Sequence, residues 1–187
     1  NSLIESIFCC QKTKDAIQTN DVFAACWQKC ASYYLADSLS SFNQSPSSPS
    51  HTLNSLRNFK KSPINNHISG ILETIGIERA TPTLLERMLK STIGFSDLVE
   101  KNNHSQLIKQ KYDYFLKNSM LSDCYFYLVY LNKETFIKIK DNLNKEQDLI
   151  HILKIAFDIE SDSNLLQQHV ETIQTSCNDI LEIVSKT

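Results

Sequence analysis

Glycine, proline and arginine are scarce in this chain. Its 187 residues include 3 glycines and 4 prolines, against average usages of about 7% and 5%. An all-β chain needs many tight turns built from these residues, so their scarcity points to helices. Backbone cradles for phosphate draw on glycine too. No glycine-rich phosphate loop, G-x-S-x-G elbow, C-x-x-C pair or H-E-x-x-H run is present, which removes the common nucleotide, serine-nucleophile and metalloprotease signatures. Arginine, the side chain best shaped to grip phosphate or carboxylate with two bonds, occurs only at Arg57, Arg79 and Arg87; the other sixteen of the 19 basic residues are lysine. No run of eighteen apolar residues occurs, so no membrane span is expected. The net charge of −2 supplies no general pull toward nucleic acid or anionic lipid. The opening NSLIESIFCC has no basic leader region and reads as the start of a piece cut from a longer protein.

Apolar residues recur with helical spacing almost throughout. Ser2-Leu3-Ile4-Glu5 has the form of a capping box, and Leu3, Ile4, Ile7, Phe8, Cys10 and Ile17 follow it. A second helix, opened by Asn20 or Asp21, has an apolar arc wide enough to be central. Ile64 to Ile75 forms a further stripe. Thr81-Pro82 is a hydroxyl cap with proline at the first helical position, and Gly94 suits that helix's end. Ser96 or Asp97 opens a short turn through Val99, and Ser105 caps the helix after it. Asn144 with Gln147 marks another capping box. Two readings exist for Cys124 to Leu131, CYFYLVYL. One pairs it with Thr135–Lys140 as a β-hairpin; the preferred one is two helices split near Asn132.

Between the second and third helical stretches lies a belt rich in serine and proline, Ser40 to Pro63. Its composition buries too little apolar area to offset ordering entropy. It is expected to be a disordered insertion over about 42–62, inside one helical domain spanning 1–187. Ser45-Pro46, Ser48-Pro49 and Ser62-Pro63 make Ser45, Ser48 and Ser62 candidate acceptors for a proline-directed kinase. The expected fold is therefore all-α, eight to nine packed helices in an irregular bundle or HEAT-like stack.

The last helix begins near Asp162 or Ser163. Its stripe, Leu166, Val170, Ile173, Cys177, Ile180 and Val184, steps by four and three residues like a heptad seam. It is read either as a core face or as the docking face for a protein partner or a second copy of the chain.

Other constellations are weaker. Cys9, Cys10, Cys26 and Cys30 could form a zinc site or a clamped hairpin, but all six cysteines sit in apolar helical patterns. There a thiol behaves as a small hydrophobe, which favours a reducing, intracellular setting, nuclear or cytoplasmic. The five histidines are scattered. Lys133 to Lys145, with Tyr125, Tyr127, Tyr130 and Phe136 nearby, has the interleaving that binds single strands, yet Glu134, Asp141, Glu146 and Asp148 interrupt it. Arg79 and Arg87 are the candidates for an arginine finger. No cofactor is implied. The function expected is a non-enzymatic helical protein-interaction module, a scaffold or adaptor from a larger protein, regulated through its Ser-Pro belt. The alternatives are a pathogen effector that binds a host protein and a helical regulator of a small GTPase.

Overall fold

The computed structural model describes residues 1–45, 48–100 and 104–186. The described residues hold nine α-helices and no strand: α1 (Ser2–Gln18), α2 (Ala24–Phe42), α3 (Thr52–Asn58), α4 (Ile68–Ile75), α5 (Pro82–Glu100), α6 (Ser105–Lys117), α7 (Leu121–Ile139), α8 (Ile150–Ala156) and α9 (Ser163–Ser185). The fold class is all-α. The helices gather into two compact units, one from residues 1–76 and 160–187, the other from 77–159.

In the first unit α2 is central, as its wide apolar arc requires. It packs on α1, α3, α4 and α9. Cys26, Cys30, Leu35 and Leu39 are fully enclosed. Two buried polar side chains of α2 find a partner on α4: Gln28 Nε2 donates to the Thr74 carbonyl at 2.9 Å, and the Ser32 and Thr74 hydroxyls are 2.8 Å apart. The buried Lys29 donates its ammonium to the Ile75 carbonyl at the end of α4, where the helix dipole favours a cation. Gly76 follows with φ 85°, the left-handed conformation that closes helices at low cost only as glycine. At the other end, Asp162 Oδ1 accepts from the amides of Asn164 at 2.8 Å and Leu165 at 3.3 Å and caps α9.

The belt differs from the expected disordered insertion. Thr52–Asn58 is a helix, and Leu53 and Leu56 are buried beneath it. Two apolar anchors one turn apart are enough to seat so short a helix on a preformed core. Asn43 and Asn65 then join the belt's ends through a reciprocal amide pair, with Nδ2 to Oδ1 distances of 2.8 and 2.9 Å. Pro46 and Ser47 lie outside the described residues.

In the second unit α5 packs on α6, α7 and α8, and α7 runs unbroken through its middle. Cys124–Val129 is buried and helical, so the hairpin reading is set aside, and so is the split near Asn132. Asn132 is instead a buried junction. Its Nδ2 lies 3.0 Å from Thr92 Oγ1, 2.8 Å from the Leu128 carbonyl and 2.8 Å from the Ala156 carbonyl, joining α5, α7 and α8. Gly94 does not end α5, which continues to Glu100 through the turn expected at Ser96 or Asp97. Thr81 does cap α5, its hydroxyl accepting from the Leu84 amide at 3.3 Å. The capping boxes expected at Ser2 and Asn144 do not form. Ser2 Oγ donates to Asp37 Oδ2, Asn1 takes the cap position, and Lys140–Lys145 and Gln147–Leu149 are short 3-10 turns. Nor does Ser105 cap α6: it is that helix's first residue, and His104 precedes it without a side-chain cap bond.

Candidate interaction surface

The heptad stripe on α9 belongs to the first unit's own core. Leu166, Val170, Ile173, Cys177 and Ile180 are buried against that unit, and Val184, 39% exposed, alone reaches the surface. Each buried aliphatic of this kind contributes about 1.5–3 kcal/mol, so presenting the stripe to a partner would first dismantle the unit. Spacing alone could not separate these two readings, because core faces and docking faces share one period.

Among the described residues, α1 carries three exposed large hydrophobics within two turns. With 3.6 residues per turn, the buried side of α1 is Leu3, Ser6, Cys9, Cys10, Thr13 and Ala16. The opposite side carries Ile4, Ile7 and Phe8, exposed to 64%, 37% and 39%. The apolar residues of α1 thus divide between a buried side and an exposed one. The Phe8 ring meets Trp27 edge-on at 6.1 Å between centroids, and Lys12 Nζ sits 5.6 Å from its centre. Along the same helix, toward its C-terminal end, Gln11 donates to Asp15 at 2.8 Å.

Beside this face runs the seam between α1 and α9. Two cavities open along it, of about 50 and about 280 Å³. Ile7, Cys10 and Cys177 line the first, Ile17 and Val170 the second, and Lys14 lines both. The Lys14 ammonium donates to Gln174 Oε1 across the seam. The remaining polar lining is uncharged amide: Gln11, Gln174 and Asn178 in one cavity, Gln18 and Gln167 in the other. Burial raises the Cys10 thiol, with Lys14 pulling the other way, and pushes Cys177 up to about 11 despite a contact of 3.5 Å with Ser6 Oγ. Both thiols are therefore protonated and poorly nucleophilic at neutral pH.

The remaining sequence candidates disperse. Ser48 is exposed, while Ser45 and Ser62 are half-buried, and Ser62 Oγ accepts from the Asn65 amide at 3.2 Å. Arg79 is held by Asp158 at 2.9 Å, and Arg87 is exposed. The basic and aromatic segment does not assemble into an open face. Tyr125 and Phe136 are buried, Lys133 is paired with Glu134, and Lys138 donates to Glu100 at 2.7 Å. That last pair lies on a cleft of about 230 Å³ in the second unit, beside Tyr127 and Tyr130. Lys138 holds the Glu100 carboxyl below its ordinary range. All six cysteines are buried thiols. Among the described residues no three His, Cys, Asp or Glu side chains are grouped to hold a metal, and no helix is long and apolar enough to cross a membrane.

No family model matches the chain, and no curated protein or solved structure matches it either. The class that the fold defines is an all-α protein made of two helical units.

Proposed function

We propose that this chain is a non-enzymatic, helical protein-interaction module, a scaffold or adaptor piece, and that its docking surface is the outer face of α1. The observation that carries this reading is the set Ile4, Ile7 and Phe8, three large apolar side chains exposed on one side of a helix whose other side already fills the core. Scattered exposed hydrophobics are ordinary, but three within two turns of one helix form a contiguous patch of the kind that marks interfaces. The occupant that fits is an amphipathic helix from another protein, laying apolar residues spaced three and four apart over Ile4 and Phe8. Lys12 borders the patch with no ion pair among the described residues, so the partner helix carries an acidic residue facing it.

Regulation is assigned to Ser48, which is exposed and followed by Pro49. A phosphate there adds about −1.5 to −2 charge to the belt. The buried thiols support a reducing, intracellular place of work.

The test compares the wild-type chain with an Ile4→Ser/Phe8→Ser variant, first by circular dichroism and then by capture from a lysate read by mass spectrometry. The expected result is an unchanged fold and loss of a stoichiometric partner, whose contact segment, mapped by a photo-crosslinker at position 8, is an acidic amphipathic helix. A partner retained by the variant would remove α1 as the docking surface.

A further inference from the structure

We propose that the seam between α1 and α9 is a binding site for a carboxylate borne on a short aliphatic chain. The argument begins with charge. Lys14 is half-buried and lines both cavities. Its ammonium has a neutral partner, the Gln174 side-chain oxygen, and no ion pair among the described residues. The acids nearest along the two helices, Asp15 and Glu171, are exposed and bond rim amides rather than Lys14: Asp15 accepts from Gln11 at 2.8 Å and Glu171 from Gln167 at 3.4 Å. Neither lines either of the two seam cavities. A cation held by a neutral amide keeps most of its attraction for an anion.

The rest of the lining selects what the anion is attached to. Around Lys14 the cavity walls are aliphatic side chains and protonated thiols, and the rims are carboxamides. Gln174 uses its oxygen on Lys14, which leaves its nitrogen as a donor of two hydrogens. An ammonium flanked by amide donors suits a carboxylate, whose two oxygens accept only. Ile17 and Val170 beyond it suit an alkyl tail. The larger cavity, about 280 Å³, falls just under the range of about 300–1,000 Å³ typical of drug-sized ligands, so the tail is short. No bond is made or broken. The ligand displaces water and takes the place that the Gln174 oxygen holds on Lys14. This site meets the apolar patch only at Ile7, which lines the smaller cavity, and it does not depend on the docking reading.

The experiment is a titration of the full chain with hexanoate, hexan-1-ol and hexylamine, followed through the side-chain amide signals of Gln18, Gln167 and Gln174 by NMR. Hexanoate is expected to give saturable shifts at these three groups, hexan-1-ol to bind at least about tenfold more weakly for want of the charge-assisted bond, and hexylamine to give none. Lys14→Met keeps the stem and removes the charge, and it should weaken hexanoate by about the same factor. Should that variant fail to fold, Gln174→Glu is the second arm: its carboxylate occupies Lys14 from within and should abolish hexanoate binding in a folded chain. Equal binding of acid and alcohol, unchanged affinity in Lys14→Met or in Gln174→Glu, or the absence of any saturable shift would each overturn the proposal.

Discussion

Arg79 and Asp158 stand 79 positions apart in the chain and are joined by a 2.9 Å bond from the guanidinium to Oδ1. The second oxygen of the same carboxylate accepts from the Tyr125 hydroxyl at 2.9 Å. Asp158 therefore ties the last residues of the second unit to its first ones and to the N-terminal turns of α7. Its backbone is left-handed, with φ 47°, a conformation that aspartate tolerates better than most residues.

Asp158→Ala removes both bonds and places a Cβ residue without local hydrogen bonding in that conformation. The expected loss is about 2–3 kcal/mol in urea unfolding. That is below the about 3–5 kcal/mol for a fully buried pair, because the Arg79 side chain is 45% exposed and water screens part of the interaction. Tyr125→Phe should cost about 1 kcal/mol. A loss under 0.5 kcal/mol for Asp158→Ala, measured against that about 1 kcal/mol expectation for a single bond, would show that the clamp adds nothing.

Alkaline pH should weaken the chain through its thiols. Burial raises Cys10 and Cys26, pushes Cys124 up to about 12 and Cys177 up to about 11. A folded-state value above the unfolded one means that the stabilisation is complete below the unfolded thiol's value, about 8.5, and is lost as pH rises through the folded values. The urea midpoint should hold from pH 7 to 8 and fall steadily from about pH 9. Alkylation of the native chain at pH 8 should be far slower than that of the unfolded chain. A flat midpoint up to pH 11, where Cys177 itself titrates, would count against it.

The α9 stripe gives a contrast within one helix. Ile173→Asp buries a charge in a fully enclosed position and should unfold the first unit, a loss above about 4 kcal/mol. Val184→Asp, at the exposed end of the same stripe, should change stability by less than about 0.5 kcal/mol. Circular dichroism and urea titration separate the two.

Gly94 lies inside α5, where a Cβ would meet only the Ile152 Cδ1 atom at 3.8 Å, an ordinary contact. Gly94→Ala should therefore stabilise the chain by about 0.5–1 kcal/mol. A destabilised variant would mean that α5 and α8 approach more closely than this.

Where the signal is local, the sequence carried it. Thr81-Pro82 and Asp162 open helices as their side-chain chemistry requires, and the four-three steps from Leu166 to Ile180 mark one buried stripe. Local signals failed where a distant partner competed for the same group. Ser2 had a capping role within reach and bonded Asp37 instead. Asn132, a helix-weakening residue in isolation, sits unbroken in α7 because Thr92 and the Ala156 carbonyl engage its amide. Leu53 and Leu56 turned part of a serine-rich belt into a helix because an apolar surface waited to receive them.

The α1 surface and the seam beside it were the least legible. A sequence with Leu3, Ile4, Ile7 and Phe8 declares an apolar helix but not which side the core takes. That is settled by Ser6, Cys9 and Thr13 packing inward, with Ser6 bonded to the Ala31 carbonyl at 2.8 Å. Lys14 gives no sign in the chain that it will face α9 across 160 positions. The sequence by itself determined the all-α class, most of the helices and the starts at Thr81-Pro82 and Asp162, because caps and periodicity act over a few residues. Only the tertiary structure decided which side of α1 was left exposed and that Lys14 would meet a neutral amide across the seam, because both are what remains after every helix has chosen its neighbours.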